Sequence, residues 1–288
     1  MTKTLFASCN LLGDTLVQTP ALRIYKEQHP NEEITWVLQD QVHVREICSG
    51  MVEQGVADQI LFEKDLSRFH EKRFEGYDKT IFMGIEYIWP LRIGYGHMSQ
   101  AFGSYIGVQV PDDMILPAVG SQYLTPDDYE FYKIPDLSRC LVISPYSTSK
   151  ITSSQAGTAG MKVVPWDTWY ELIQRFKKTL RISQCIVLAG PGDESPPFEV
   201  PVLRLPLGKA LAVTYTACSL GGAYAGVENG FTHACTGMKI PTFCIHPMAP
   251  DPGWASYYKF NHYKIAITEC PSGNTNQIWL QWKDRLWN

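Results

Sequence analysis

No segment of this 288-residue sequence approaches the run of about 20 apolar residues that a membrane span requires. The apolar stretch of the opening "MTKTLFASCN" is also too short for a secretory signal. A soluble, cytoplasmic protein is therefore expected, with peripheral contact at the inner face of a membrane left open. Excess charge is missing too: 25 Lys and Arg stand against 29 Asp and Glu, a net charge of −4 at pH 7. That balance excludes the broad basic face on which nucleic-acid binding depends, although a local basic pocket for a small phosphate ligand stays open. None of the eight cysteines forms a Cys-x-x-Cys pair, and Cys185 and Cys244 lie in the apolar runs "QCIVLAG" and "TFCIH". They read as reduced core residues rather than a disulfide or metal framework, and no metal site is expected. No self-similarity at a solenoid period is found.

What is present suits large cores: 45% hydrophobic, 12% aromatic and 19% charged residues, in a chain long enough for two domains. The first half alternates strand and helix signals. "KTLFAS" (3–8) reads as a strand, and residues 14–28 as a helix with Val17, Ala21, Ile24 and Tyr25 on one face. Strands follow at 33–38, 57–63 and 77–84, with a short helix in "VHVREICSGM". Such alternation means parallel βαβ units in a doubly wound α/β sheet. Residues 108–138, rich in Pro and Asp and without long periodicity, read as a linker or domain boundary.

Alternation then restarts. A strand at 139–147 leads through a Ser/Thr/Gly-rich stretch to the amphipathic helix "WDTWYELIQRFKK", 166–178. Its Asp167 and its Lys177–Lys178 pair both suit the helix dipole. Strands are predicted at 184–190, in "VLRLP", and at 223–227, in "PTFCIH" and in "YKIAIT", with a helix at 209–219, another opening in "GFTHACTG" and a terminal one at 275–287. The expected architecture is two Rossmann-like domains facing across a cleft, 1–135 and 136–288.

In open parallel sheets ligands bind at the carboxyl ends of strands, and five segments reach such ends. Gly13-Asp14 follows the first strand. Asp14 fits two roles: a first-turn carboxylate favoured by the dipole by ~0.3–1 kcal/mol, or a general base accepting a proton from an acceptor hydroxyl. Ser147, Thr148 and Lys162 follow the 139–147 strand, and hydroxyls with a lysine suit phosphate oxygens, though a lone Lys at a helix start also suits solvent. "LAGPGDE" (188–194) brings Gly190 and Glu194 to a loop tip where carboxylates bind ribose hydroxyls, without the Gly-x-Gly-x-x-Gly spacing. "GVENGFTHACTG" (226–237) ends a strand, turns on Glu228-Asn229-Gly230 and opens a helix with Phe231, Thr232 and His233. Helix-start N–H groups suit an anion, and Glu228 beside them suits a hydroxyl-rich sugar; His233 fits a packed role as well as a binding one. "HPMAPDPGW" (246–254) fits a rigid pocket wall or an ordinary loop. Together these describe phosphate and ribose contacts in the C-terminal half and an acid in the N-terminal half, the division of labour of a sugar-nucleotide transferase.

Four of these stretches carry a resemblance. "LLGDTLVQTPALRIYKEQHPNEEITWVL", "MKVVPWDTWYELIQRF", "LAGPGDE" and "GVENGFTHACTGMKIPTFCIHPMAPDPGW" resemble, in order, motifs of the ADP-heptose:lipopolysaccharide heptosyltransferase family. The resemblance implies a GT-B fold, with the terminal helix able to pack back on the first domain. It implies inverting, metal-independent transfer of heptose or a related sugar from a nucleoside diphosphate donor, an ADP-sugar, rather than any bound cofactor, to a surface-glycan or glycolipid hydroxyl. Under it Asp14 is the base and Lys162 steadies the departing diphosphate. Ser147, Thr148 and the N–H groups around Gly230 hold that phosphate, Glu194 takes the ribose and Glu228 meets the donor sugar. The family usually has Asp where this chain has Glu228, and a small hydroxyl residue where it has Asn229. Two other readings share the fold: a sugar-nucleotide-binding protein without turnover, and a sugar-nucleotide epimerase.

Overall fold

The computed structural model describes residues 1–88, 90–91, 94–146, 164–246, 266–269, 275–276 and 278–280. Among them the chain forms two compact units, Met1–Ser121 and a second beginning at Gln122.

The first unit is built on a four-stranded parallel sheet of β1 (Thr2–Ser8), β2 (Glu32–Gln39), β3 (Gln59–Glu63) and β4 (Lys79–Phe82), in the order β3-β2-β1-β4. Phe6 of β1 lies opposite Trp36 on one side and Ile81 on the other. The two central strands are buried on both faces, whereas β3 and β4 at the edges are only half-buried. This is why "TLFA" and "ITWVL" read as continuous apolar runs rather than alternating ones. A short α3 (Val42–Cys48) runs into a 3-10 turn over Ser49–Met51. After β4 come α5 (Ile85–Ile88) and α6 (Met98–Ile106), and α4 (Ser67–His70) precedes it.

The single helix predicted over 14–28 is two helices, α1 (Leu12–Leu16) and α2 (Thr19–Gln28). The cause is Pro20, which stands in the first turn of α2 and has no N–H to offer the Leu16 carbonyl. The Thr19 hydroxyl takes that carbonyl instead, at 2.8 Å, and in turn accepts the Ala118 N–H at 2.7 Å. The break is thus satisfied rather than strained, and it isolates Gly13 and Asp14 on a helix of five residues.

The second unit has a six-stranded parallel sheet in the order β10-β9-β8-β5-β6-β7. Its strands are β5 (Cys140–Ser144), β6 (Gln184–Leu188), β7 (Val202–Leu203), β8 (Ala223–Val227), β9 (Thr242–His246) and β10 (Ala266–Glu269). Every residue of β5 and β8 is buried. Helix α8 (Trp166–Leu180) lays Trp169, Leu172, Ile173 and Phe176 against the sheet, with Trp166 half-buried at the edge of the same core. Ile278 and Trp279, from the predicted terminal helix, join this core, and the Trp279 ring meets Phe176 edge-on at 5.4 Å. Helices α9 (Leu207–Ser219) and α10 (Gly230–Gly237) complete the unit. Among the described residues all cysteines are free; Cys48, Cys140, Cys185, Cys235 and Cys244 are buried, in keeping with their apolar surroundings in sequence.

The Pro/Asp-rich stretch read as a linker contains a formed helix, α7 (Pro126–Phe131). "TPDD" is a helix start in miniature: Thr125 caps the Asp128 N–H, Asp128 reaches back to the Thr125 N–H at 2.7 Å, and Pro126 occupies the first position. Lys209 of α9 then donates to the Asp128 carboxylate at 2.8 Å and to the Tyr123 carbonyl at 3.2 Å, so this helix belongs to the second unit. The Lys209 hydrogen bond, followed by the Thr125 N–H, holds the Asp128 carboxyl down at about 2. A carboxyl depressed on folding stabilises above its unfolded value near 4, and that stability is lost as pH falls toward 2. Asp128→Asn is therefore expected to lower the urea midpoint at pH 7, and the gap to the parent protein to narrow steadily in titrations taken below pH 4.

Candidate functional site

In both sheets the strand order reverses beside a central strand, between β1 and β4 in the first unit and between β5 and β8 in the second. Chains leaving such strands diverge to opposite faces of the sheet and leave a crevice at the carboxyl ends. The predicted site residues that are described fall at or near those ends.

In the first unit Gly13 and Asp14 sit in the opening turn of α1, directly after β1, and both are half-buried. Leu11 at the N-cap supplies no side-chain bond, and Asp14 is the acidic residue of this first turn. Next to the strand end, burial, and secondarily the Glu86 carboxylate, push the Cys9 thiol up from its ordinary value.

In the second unit Tyr146 follows β5, Gly190–Glu194 follow β6, and Glu228–His233 follow β8. Asn229 does two things at once. Its Oδ1 accepts the Thr232 N–H at 2.9 Å and caps α10, while its Nδ2 donates to the Tyr146 carbonyl at 2.7 Å and ties the end of β8 to the end of β5. Glu228 and His233 are both buried, with His233 Nε2 3.2 Å from Glu228 Oε1. The Thr232 hydroxyl is directed to the Val227 carbonyl at 2.8 Å and lies 3.1 Å from the Tyr224 hydroxyl, and Phe231 packs edge-on against Tyr224. Of this segment, only Asn229 and Gly230 are more than marginally exposed. The first turn of α10 therefore presents main chain rather than side chain: N–H groups that a helix of eight residues leaves for an anion.

The turn after β6 is braced by residues that sequence inspection did not single out. Asp193 accepts the Gly190 N–H at 2.8 Å, and the Arg204 guanidinium donates to the carbonyls of Gly190 and Asp193. The Tyr146 hydroxyl donates to the Glu194 carbonyl; burial, followed by Asp193, pushes that phenol up to about 12, so it stays a donor at any physiological pH. Glu194 is exposed at the tip, its carboxylate available to a hydroxyl. The signal for Arg204 was a charge inside the apolar run "VLRLP"; Tyr146 carried none. Ser147, Thr148 and Lys162 lie outside the described residues, as does the 247–254 part of the "HPMAPDPGW" segment. Among the described residues no group of three His, Cys, Asp or Glu side chains is placed to hold a metal ion, and no helix is long and apolar enough to cross a membrane.

Because Asn229 serves both helix and strand ends, its two roles separate by substitution. Asn229→Asp keeps the cap oxygen and loses the donor to Tyr146; Asn229→Ala loses both. Asn229→Ala is expected to destabilise the second unit by about 1–2 kcal/mol in urea titrations, and Asn229→Asp by less.

These two switch-point sheets define the class of fold as GT-B. No protein-family model and no curated protein matches the sequence. Solved structures do match in fold. The chain is similar to Escherichia coli ADP-heptose lipopolysaccharide heptosyltransferase II, at 13% identity and a TM-score of 0.67 over 99% of each chain. It is similar to a family 9 glycosyl transferase from Veillonella parvula, at 14% identity and a TM-score of 0.63 over 93% of this chain and 86% of that one. It is also similar to the E. coli heptosyltransferase WaaC, at 15% identity and a TM-score of 0.55 over 99% of each chain.

Proposed function

We propose that this protein is an inverting glycosyltransferase that moves a sugar, heptose or a close relative, from a nucleoside diphosphate donor of the ADP type to a hydroxyl of a surface glycan or glycolipid. The observation that carries the reading is the distribution of chemistry over the two switch points. A carboxylate, Asp14, opens the helix after β1, and bare helix N–H groups beside Gly230 follow β8. The likeness to heptosyltransferases supports it; the WaaC structure is described with ADP-2-deoxy-2-fluoro heptose.

In this mechanism Asp14 accepts the proton of the acceptor hydroxyl as that oxygen attacks the anomeric carbon. The bond to the diphosphate breaks, and the departing negative charge is taken by the first-turn N–H groups of α10 together with Lys162, Ser147 and Thr148. Glu194 holds the ribose hydroxyls at the tip of its braced turn. Glu228, which lies beside His233, is the residue assigned to a donor-sugar hydroxyl. No step calls on a metal ion. The protein acts in the cytoplasm on this reading, where nucleotide sugars are made.

A thermal-shift panel of ADP-, UDP- and GDP-sugars tests it. A true donor at a hundred times its Kd stabilises by about 2.7 kcal/mol. ADP-heptose is expected to raise the melting temperature most, with free ADP released only once a glycan acceptor is added. If no nucleoside diphosphate sugar in the panel raises it, the proposal is overturned.

A further inference from the structure

Below the turn that carries Asp14 lies a polar network buried in an otherwise apolar unit. Ser8 and Gln18 have no exposed surface, and Asn10 is 5% exposed. The Asn10 Nδ2 donates to the Met83 carbonyl at 2.7 Å, and the Gln18 Nε2 donates to the same carbonyl at 3.0 Å. The Ile85 N–H donates to Asn10 Oδ1 at 3.2 Å. Gln18 Oε1 accepts from the Ser8 hydroxyl at 2.5 Å, and that hydroxyl oxygen accepts the Trp36 indole N–H at 3.0 Å. Both lone pairs of one carbonyl are used, and each carboxamide has a donor and an acceptor engaged.

The location explains the need. The main-chain ladder between β1 and β4 runs to the Met83 N–H, which bonds the Ala7 carbonyl at 2.8 Å. Beyond it the two chains diverge, as they must at a switch point, so the Met83 carbonyl and the Ile85 N–H have no strand to pair with. The Asn10 side chain has the shape of a peptide unit and supplies one donor and one acceptor to them, extending the ladder past the point where main chains can.

Helix α1 cannot hold itself. It has five residues and no capping side chain, too short to persist on its own bonds. It is held at its ends, with Asn10 at the entrance and Gln18 at the exit, both fastened to Met83. Asp14 lies midway, four residues from each. Buried amides are costly unless fully bonded, and apolar residues of similar size support a core as well. What a completed network adds is a single geometry, because only one placement of the α1 turn satisfies every member.

We propose that Asn10 and Gln18 are positioning residues that set the carboxylate of Asp14 for proton abstraction; the role given to Asp14 rests on the function proposed above, the placement of its carboxylate does not. The test uses the full-length chain labelled with 13C at the aspartate carboxyls, the Asp14 resonance being identified by its loss in Asp14→Asn. In Asn10→Ala and in Gln18→Leu the Asp14 titration midpoint is expected to move by about half a pH unit or more, about a threefold change in its ionisation constant. With ADP-heptose as donor, kcat is expected to fall about ten- to hundredfold while the KM for ADP-heptose stays within twofold. An Asp14 midpoint unmoved in the folded variants, with only the melting temperature lowered, overturns the inference and leaves the network a purely structural one. Gln18→Leu buries no charge and serves if Asn10→Ala does not fold. If Asp14→Asn keeps full transfer while the midpoints move, the base assignment fails and the positioning of the carboxylate stands.

Discussion

Asp14→Asn is expected to abolish sugar transfer while leaving donor binding intact. The substitution keeps the size of the side chain and its place in the first turn of α1, and removes its negative charge and with it the capacity to take a proton. General-base catalysis contributes about 10²–10⁴-fold, so kcat is expected to fall by that factor, with ADP-heptose still protecting the protein in thermal-shift measurements. The dipole effect of a partly exposed first-turn carboxylate contributes ~0.3–1 kcal/mol to the stability change expected. A loss of donor binding alongside transfer would assign Asp14 to the donor site instead.

The largest effect on stability is expected from Trp169→Ala. Trp169 has no exposed surface and packs with Leu172, Ile173 and Phe176 in the core of the second unit. Removing so large a buried ring costs about 3–5 kcal/mol, the transfer energy plus the cavity left behind. At about 2–4 °C per kcal/mol, differential scanning calorimetry should show the second unit melting roughly 10 °C lower. Trp169→Phe should cost far less. Its ring fills most of the same space, and among the described residues the indole Nε1–H of Trp169 has no hydrogen-bond partner to lose.

Much of the fold was legible because parallel strands covered on both faces need unbroken apolar runs. β1, β2, β5, β6 and β8 each announce themselves this way. Periodicity also marked α8, where Trp169, Ile173 and Phe176 are buried at helical spacing. The failures share one cause: a local signal outweighed by a composition or a period read over too long a window. Between Asp14 and Gln28 the apolar spacing is helical throughout, yet Pro20 withholds one N–H and the helix divides there. Across 108–138 the Pro/Asp content suggested a linker or domain boundary, and the two units do divide at Ser121/Gln122, but Thr125, Pro126 and Asp128 form a capping box that composition hid.

The site was legible as a set of places. Turn residues directly after apolar runs marked Gly13-Asp14, Gly190–Glu194 and Glu228–Gly230, since chains in such sheets turn where the strands end. What each side chain does there was not legible. Asn229 and Thr232 read as ligand contacts by their chemistry, and their hydrogen bonds are spent on Tyr146, the α10 cap, Val227 and Tyr224. Asn10 and Gln18 were not singled out in sequence at all, because their shared partner, the Met83 carbonyl, is more than sixty positions away in the chain.

The amino-acid sequence on its own determined where strands and helices form and at which turns acids, amides and glycines would stand, since apolar runs, capping residues and proline act over a few neighbours. Strand order, the switch points beside β1 and β5, and the pairing of Asn10, Gln18 and Asn229 with distant carbonyls were decided only by the tertiary structure. Those bonds depend on which strand ends are brought side by side, and no local rule of spacing carries that information.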